Sequence, residues 1–378
     1  MKSTVMLIDI NKIKNNIKKL QIAYHSYDYF FINVKDNFFG MGYKLINNIS
    51  ELGINYLYAS TLEDALEIRK INHKIPILIS FEVTKDSIYD AINNDIAITI
   101  SNLDNLKELS NVNSKDKVNV HILVDNGENK RGLKNLSEVK KAIKIINESN
   151  YLMLEGIYTE FFSYGILDDN FYLVKENFTN ILDGINTKDL IIHANEPLMY
   201  HKKDKNINGI NLSLSVLGIE EFIKNTLSNN IKAKTISKKY DNLILPDLNL
   251  GLSFEVVSKV MDFSFASKGD VIGKNYKAPK DLKLAIVPLG YKDGFTKAIK
   301  NIYIEAKTYP IIYDTIDYMI IAVDDTVKLN DVVYFISNNS DVHNLISILH
   351  TNRFYLMSIL NKNIVKEYIN ENKKEDLL

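Results

Sequence analysis

Lys35 is the residue that first invites chemistry. It sits in Asn33-Val34-Lys35-Asp36-Asn37-Phe38-Phe39-Gly40-Met41-Gly42, directly after the apolar run Tyr29–Val34. A short run of aromatic and β-branched residues bounded by turn formers reads as a buried strand. Lys35 then stands at the C-terminal end of that strand, ahead of a glycine loop and a helical pattern from Tyr43. A lysine so placed has the setting of a Schiff-base lysine, whose amine gains nucleophilicity as it leaves water. A solvated lysine on a turn is the plainer reading, and this stretch taken alone favours it.

Other residues could act with it. Asp125-Asn126-Gly127 leads to Lys130 and Arg131, and His193-Ala194-Asn195-Glu196 closes another apolar run. Glu160 and the stretch Asn211–Ser215 also end such runs, and Gly290-Tyr291-Lys292-Asp293-Gly294 follows Leu284–Pro288. A tight turn explains the glycine stretches equally well, and a lone His193 suits a satisfied core histidine. No metal site is expected, because the seven histidines are scattered without a ligand spacing. No glycine-rich nucleotide loop with a lysine occurs. The absence of cysteine excludes disulfides, thiolate catalysis and cysteine–zinc sites.

The elements that must position these residues alternate. Strand-like runs at Tyr29–Val34, Tyr56–Ala59, Ile75–Ile79, Ile96–Ile100, Val118–Val124, Leu152–Tyr158, Leu190–His193 and Ile210–Val216 are separated by helical patterns. Val5–Ile8 reads as a first strand ahead of that alternation, with Asp9 capping a helix from near Asn11. Such alternation is the pattern of a (β/α)8 TIM-like barrel, in which function collects at the C-terminal strand ends. From Leu252 the segments turn short and strand-like, as in a mostly β domain. The expected organisation is an α/β barrel over 1–245 and a mostly β domain over 246–378, with 220–250 as an insertion or linker.

Composition narrows the partners. The 378 residues are 46% hydrophobic with a formal net charge of −1, and the pI is near 6.7. There is no basic surplus to suggest nucleic acid or an anionic membrane. The N-terminus lacks the apolar stretch of a signal peptide, and no run approaches the ~18 apolar residues of a membrane span. A cytoplasmic location is expected.

Together these stretches resemble the alanine racemase family, the fold-type III pyridoxal-phosphate enzymes, over nearly the whole chain. Val34–Gly42 resembles Val-Lys-Ala-Asn-Ala-Tyr-Gly-His-Gly, and Leu123–Gly132 resembles Lys-Val-Asp-Thr-Gly-Met-x-Arg-x-Gly. Gly156–Phe161 resembles Gly-x-x-Thr-His-Phe, His193–Glu196 resembles His-Ala-Ala-Asn-Ser, and Pro288–Gly294 resembles Pro-Ile-Gly-Tyr-Ala-Asp-Gly. The resemblance implies pyridoxal 5'-phosphate bound at Lys35, an amino-acid substrate racemised at Cα, and a head-to-tail homodimer. Each site is then completed by the partner's β domain, through Tyr276, Tyr291 and Asp317.

Residue by residue, the resemblance implies altered chemistry. Cofactor positions fall on Lys35, Phe39, Glu160, Asn195, Glu196, Asn211, Ser213 and Phe354, with Tyr355 beside the last; substrate positions fall on Lys130, Tyr291 and Asp317. Phe39, Glu196 and Phe354 occupy positions where the family donates to the phosphate. Glu160 replaces a ring-packing histidine, and Asn211 an arginine that donates to the pyridine nitrogen. Leu123 stands for a modified lysine, and Ile316 for an entrance methionine. The family's second base, a tyrosine, falls on Ile272, which cannot carry a proton; Tyr276, four residues on, is the nearest phenol. Two readings follow. One is a divergent racemase with Lys35 as its lysine; the other is a catalytically degenerate homologue that binds or regulates.

Overall fold

The computed structural model describes residues 4–125, 127, 129–161, 169–195, 206–219, 248–305, 307–360 and 364–369, without the side chains of 169–174. Glu196, the helical stretch expected from Pro197, the segment 220–247 and the charged tail from Lys373 lie outside the described residues.

Eight parallel strands close the barrel: β2 (Tyr29–Asn33), β3 (Tyr56–Ala59), β4 (Ile77–Ile79), β5 (Ile96–Ile100), β6 (Val118–Val124), β7 (Leu152–Thr159), β8 (Ile191–Asn195) and β9 (Gly209–Leu212). Closure is direct, since β9 pairs with β2 with Asn211 opposite Phe31 and Leu212 opposite Ile32. Alternation along each strand sends one face to the helices and the other into the barrel. The inward face holds Phe31, Tyr56, Tyr58, Leu78, Ala97, Leu123, Tyr158 and Ile191 as one buried cluster. Across it runs a stack of four rings. Tyr56 lies 4.9 Å from Phe31, Phe31 lies 4.2 Å from His193, and His193 lies 4.6 Å from Tyr158, all within 12° of parallel.

β1 (Thr4–Asp9) is not part of the barrel series; it joins the sheet of the second domain. That nine-stranded sheet runs β11-β14-β17-β16-β15-β18-β10-β1-β19, where β10 is Phe254–Lys259, β11 Asp262–Ala266, β14 Leu282–Val287, β15 Asn301–Ile304, β16 Lys307–Asp314, β17 Met319–Val323, β18 Val332–Ile336 and β19 Val365–Ile369. β1 pairs antiparallel with β10 and parallel with β19. The apolar run Val5–Ile8 suits either sheet, and only pairing partners about 250 residues away in the chain decide between them. A separate ribbon of β12 (Val271–Ile272) and β13 (Tyr276–Lys277) sits in the same domain.

Asp9 ends β1 and caps the helix Ile10–Ala23, its side chain accepting from the Lys12 N–H at 3.1 Å. Buried Asn16 on that helix bonds the carbonyls of Val216 (3.2 Å) and Gly251 (2.8 Å), and accepts from the Gly251 N–H (3.0 Å). One side chain thus ties the entry to the barrel to its exit. Among the described residues, no helix is long and apolar enough to cross a membrane.

Candidate active site

Lys35 follows β2 directly at the barrel mouth, its N–H donating to the Asn33 side chain at 3.1 Å. The chain then makes an unusual turn. Asp36, Asn37, Phe38 and Phe39 all have positive φ, between 50° and 58°. A left-handed turn of L residues costs roughly 1–2 kcal/mol per residue and persists only where the surroundings over-determine it. Here they do. Phe38 and Phe39 are buried, and the N–H groups of Gly40 and Gly42 reach the carbonyls of Asp36 and Asn37 at 2.9 Å. The Tyr368 hydroxyl on β19 closes the loop on the Met41 carbonyl at 2.7 Å. Gly42 has φ +97°, and a Cβ there would lie 2.2 Å from that hydroxyl. The helix expected from Tyr43 is shorter than its pattern: a 3-10 turn Tyr43–Leu45 leads into Ile46–Ile49.

The turn aims the Lys35 amine at a small polar nest. Nζ lies 3.8 Å from Glu160 Oε1 and 4.3 Å from the centre of the Tyr58 ring. Tyr58 donates to Glu160 at 3.0 Å, and the Tyr158 hydroxyl lies 3.2 Å from that of Tyr58. The Lys35 side chain is 27% exposed. Even so, burial in the mouth lowers its pKa from the ordinary value; Glu160 opposes this and Arg131 adds to it. A lysine with a lowered pKa is a better nucleophile at neutral pH.

Arg131, next to Lys130, is thus near enough for its charge to act on Lys35. Arg131 bonds the Ser80 carbonyl and lies 4.5 Å over the Phe81 ring. Lys130 is exposed. Both follow the same turn, in which Asp125 accepts from the N–H groups of Gly127 and Asn129.

The last barrel strand and the turn after it supply the neighbouring wall. Asn211 Nδ2, Ser213 Oγ and Ser215 Oγ are buried and have no hydrogen-bond partner among the described residues. Unpaired buried donors cost about 1–3 kcal/mol each, so natural chains keep them for a purpose or a ligand. β9 neighbours β2, so these groups and Lys35 share one rim. Asn195 braces the next strand, donating to the Phe161 carbonyl at 3.2 Å.

The alanine racemase N-terminal domain family matches residues 8–196, and the alanine racemase C-terminal domain family matches residues 253–368. The chain belongs to the alanine racemase family. It is 24% identical to the alanine racemase of Staphylococcus saprophyticus over 350 residues, 90% of this chain and 87% of that protein. Its fold matches alanine racemase of Clostridium difficile 630 with a TM-score of 0.85 at 18% identity, covering 98% of this chain and 97% of that one. It also matches the structure of alanine racemase from Bartonella henselae with covalently bound pyridoxal phosphate, with a TM-score of 0.80 at 16% identity over 98% and 100% of the two chains.

Against an alanine racemase pattern, the remaining positions sort by domain. Phe39 and Phe354 meet at the mouth, their ring centres 6.2 Å apart. Tyr355 is 53% exposed, so Phe354 is the residue that faces the lysine loop. Tyr276, Tyr291 and Asp317 lie in the β domain, and among the described residues no hydrogen bond or ion pair joins them to Lys35. Tyr276 stands directly opposite Ile272 across the β12–β13 ribbon, which puts both side chains on one face. Tyr291 bonds Asp314, and burial together with that carboxylate pushes its hydroxyl up to about 12. Gly290 has to be glycine: a Cβ would lie 2.4 Å from the Ile316 carbonyl oxygen. That close approach holds Tyr291 beside the loop carrying exposed Ile316 and Asp317, whose carboxylate pairs with Lys292 at 3.2 Å.

The residues present fit pyridoxal phosphate on one observation of this structure, the three unpartnered donors beside Lys35. Ser213 and Ser215 offer hydroxyls for a phosphate where Phe39 and Phe354 offer none. Tyr58, Tyr158 and Ser215 carry no motif of their own. Ser215 was reachable only through the rule that function collects at strand ends.

Proposed function

We propose that this chain is a pyridoxal-phosphate-dependent racemase of a small amino acid, working as a head-to-tail homodimer. The observation that carries the reading is the setting of Lys35: a partly buried amine held between Glu160 and Tyr58, on the same rim as unpartnered donors on and just after β9. Pyridoxal phosphate supplies, when bound, an electron sink that acidifies the substrate Cα–H.

The chain supplies the rest. Lys35 Nζ anchors the cofactor and moves the proton on one face of Cα. Ser213 and Ser215 hold the phosphate, and Asn195, through Phe161, keeps the neighbouring strand end in place. Arg131 supplies the positive charge for the substrate carboxylate. Phe39 and Phe354 close the mouth against water. Ile272 stands where the resemblance puts the family's tyrosine, and the partner subunit's Tyr276, on the same face of the ribbon, moves the proton on the opposite face of Cα, giving one when Lys35 has taken one and taking it in the reverse direction. The partner's Tyr291 and Asp317 form the entrance.

A second reading rests on Ile272 and the hydroxyl-free pair Phe39–Phe354: a homologue that keeps the fold but not the cofactor chemistry. Incubating the protein with pyridoxal phosphate and L-alanine or another small L-amino acid, and following optical rotation, separates the two. Loss of rotation towards zero supports the racemase. Unchanged rotation with every small amino acid, at saturating cofactor, supports the degenerate homologue.

A further inference from the structure

A buried polar row runs up the barrel interior and ends beside the proposed cofactor site. Its lower end is Glu155 on β7, five residues below Glu160. Glu155 accepts from the Tyr56 hydroxyl, from Asn119 Nδ2 at 2.9 Å and from His121 Nε2 at 3.0 Å. His121 Nδ1 lies 3.0 Å from His193 Nε2, and His193 Nδ1 lies 3.2 Å from Asn211 Oδ1. Both imidazoles are fully buried.

The hydrogen positions follow from the donor inventory of each group. Asn211 Oδ1 only accepts, so His193 Nδ1 carries a hydrogen. A neutral imidazole has one N–H, so His193 Nε2 is bare and accepts. Its neighbour, His121 Nδ1, must then donate, while His121 Nε2 donates to Glu155. His121 thus carries both hydrogens and faces the Glu155 carboxylate. Burial and the charge on His121 hold the His193 pKa well below its ordinary value, in keeping with a neutral ring. Burial pushes Glu155 up, but the His121 hydrogen bond and charge, with Tyr56, outweigh it and leave its pKa lowered. The row ends with Asn211 Nδ2 as the unpartnered donor. If His121 were neutral, it would keep its hydrogen on Glu155, the His121–His193 and His193–Asn211 bonds would reverse, and the Asn211 carbonyl would face the mouth instead.

We propose that Glu155, acting through His121 and His193, is a positioning residue that turns the Asn211 amide so its NH2 meets the ring nitrogen of the cofactor. The identity of the ring rests on the function proposed above. The amide replaces a charged donor with a neutral one and keeps the ring nitrogen unprotonated. Glu155 and His121 touch neither cofactor nor substrate; they choose which end of Asn211 does.

The test begins without cofactor. Nitrogen-15 NMR of the full chain labelled at histidine should show His121 with both ring nitrogens protonated and His193 protonated only at Nδ1. Glu155→Gln should leave His121 neutral and move the His193 hydrogen to Nε2. A neutral His121 in the wild type overturns the proposal, and this reading does not depend on whether the variant folds. The second arm loads pyridoxal phosphate labelled at the ring nitrogen. The wild type should give an unprotonated ring nitrogen, while Asn211→Asp and Glu155→Gln both shift it towards the protonated form. A ring nitrogen unmoved by either variant overturns the proposal. A chain that takes up no pyridoxal phosphate fails the proposed function, and with it the ring assignment, while the histidine pattern still decides the relay.

Discussion

The Lys35 ammonium stands 3.8 Å from the Glu160 carboxylate. Both side chains are partly exposed, 27% and 43%, so the pair adds little to stability, on the order of 0–1 kcal/mol. Its effect falls on the lysine's proton. Burial lowers the Lys35 pKa, Glu160 raises it and Arg131 lowers it. The rate of cofactor capture should rise with pH as Lys35 loses its proton, with a midpoint below the ordinary 10.5. Glu160→Gln should move that midpoint down, and Arg131→Gln should move it up. Stopped-flow absorbance across pH checks both; shifts in the same direction would contradict the geometry.

The lysine loop depends on Gly42. Gly42→Ala sets a Cβ 2.2 Å from the Tyr368 hydroxyl at a φ of +97°. It should cost roughly 1–3 kcal/mol and weaken cofactor capture with it. Adding Tyr368→Phe removes the obstructing oxygen and should recover part of the stability in thermal melts, leaving the cost of the backbone conformation.

Phe31 lies between Tyr56 and His193 in the ring stack. Phe31→Ala should destabilise the chain by about 3–5 kcal/mol, the usual range for a buried aromatic. Urea unfolding measures it.

His193 makes stability depend on pH. Burial first, then the charge on His121, lower its folded pKa well below 6.5, against the hydrogen bond to Asn211. The unfolded chain then binds the proton before the folded one does, so stability is present above about pH 6.5 and lost as pH falls below it towards the folded pKa. Glu155 acts in a lower window. Its folded pKa is also depressed, so its contribution is lost only below the ordinary 4.5. The melting temperature should fall between pH 7 and 5, and His193→Phe should remove the part of that slope that belongs to His193.

Much of the barrel was legible because each strand is a short apolar run ended by a turn, and Lys35 could be placed from the run ahead of it. Val5–Ile8 was legible as a strand, but the sheet it joins was not, because such a run suits either sheet until its partners Phe254–Ser258 and Val365–Ile369 are known. The left-handed turn was hidden as well; Asp36 and Asn37 tolerate positive φ, but nothing local announces it for Phe38 and Phe39. The charge of Arg131 on Lys35 was not legible either, because a side chain's direction out of an irregular turn is not periodic. The Glu155–His121–His193–Asn211 row links residues 34, 72 and 18 positions apart, and only barrel closure brings them together.

If the account is right, Tyr276→Phe should slow racemisation by about 10²–10⁴-fold, the usual weight of a positioned acid or base, while cofactor binding stays intact. An unchanged rate would leave the proton transfer on both faces to Lys35.

The most direct measurement is the visible absorbance of the purified chain after dialysis against pyridoxal phosphate, beside Lys35→Ala. The account predicts the band of lysine-bound cofactor in the wild type and its complete loss in the variant. No band in the wild type at saturating cofactor, or an equal band in both proteins, would contradict it.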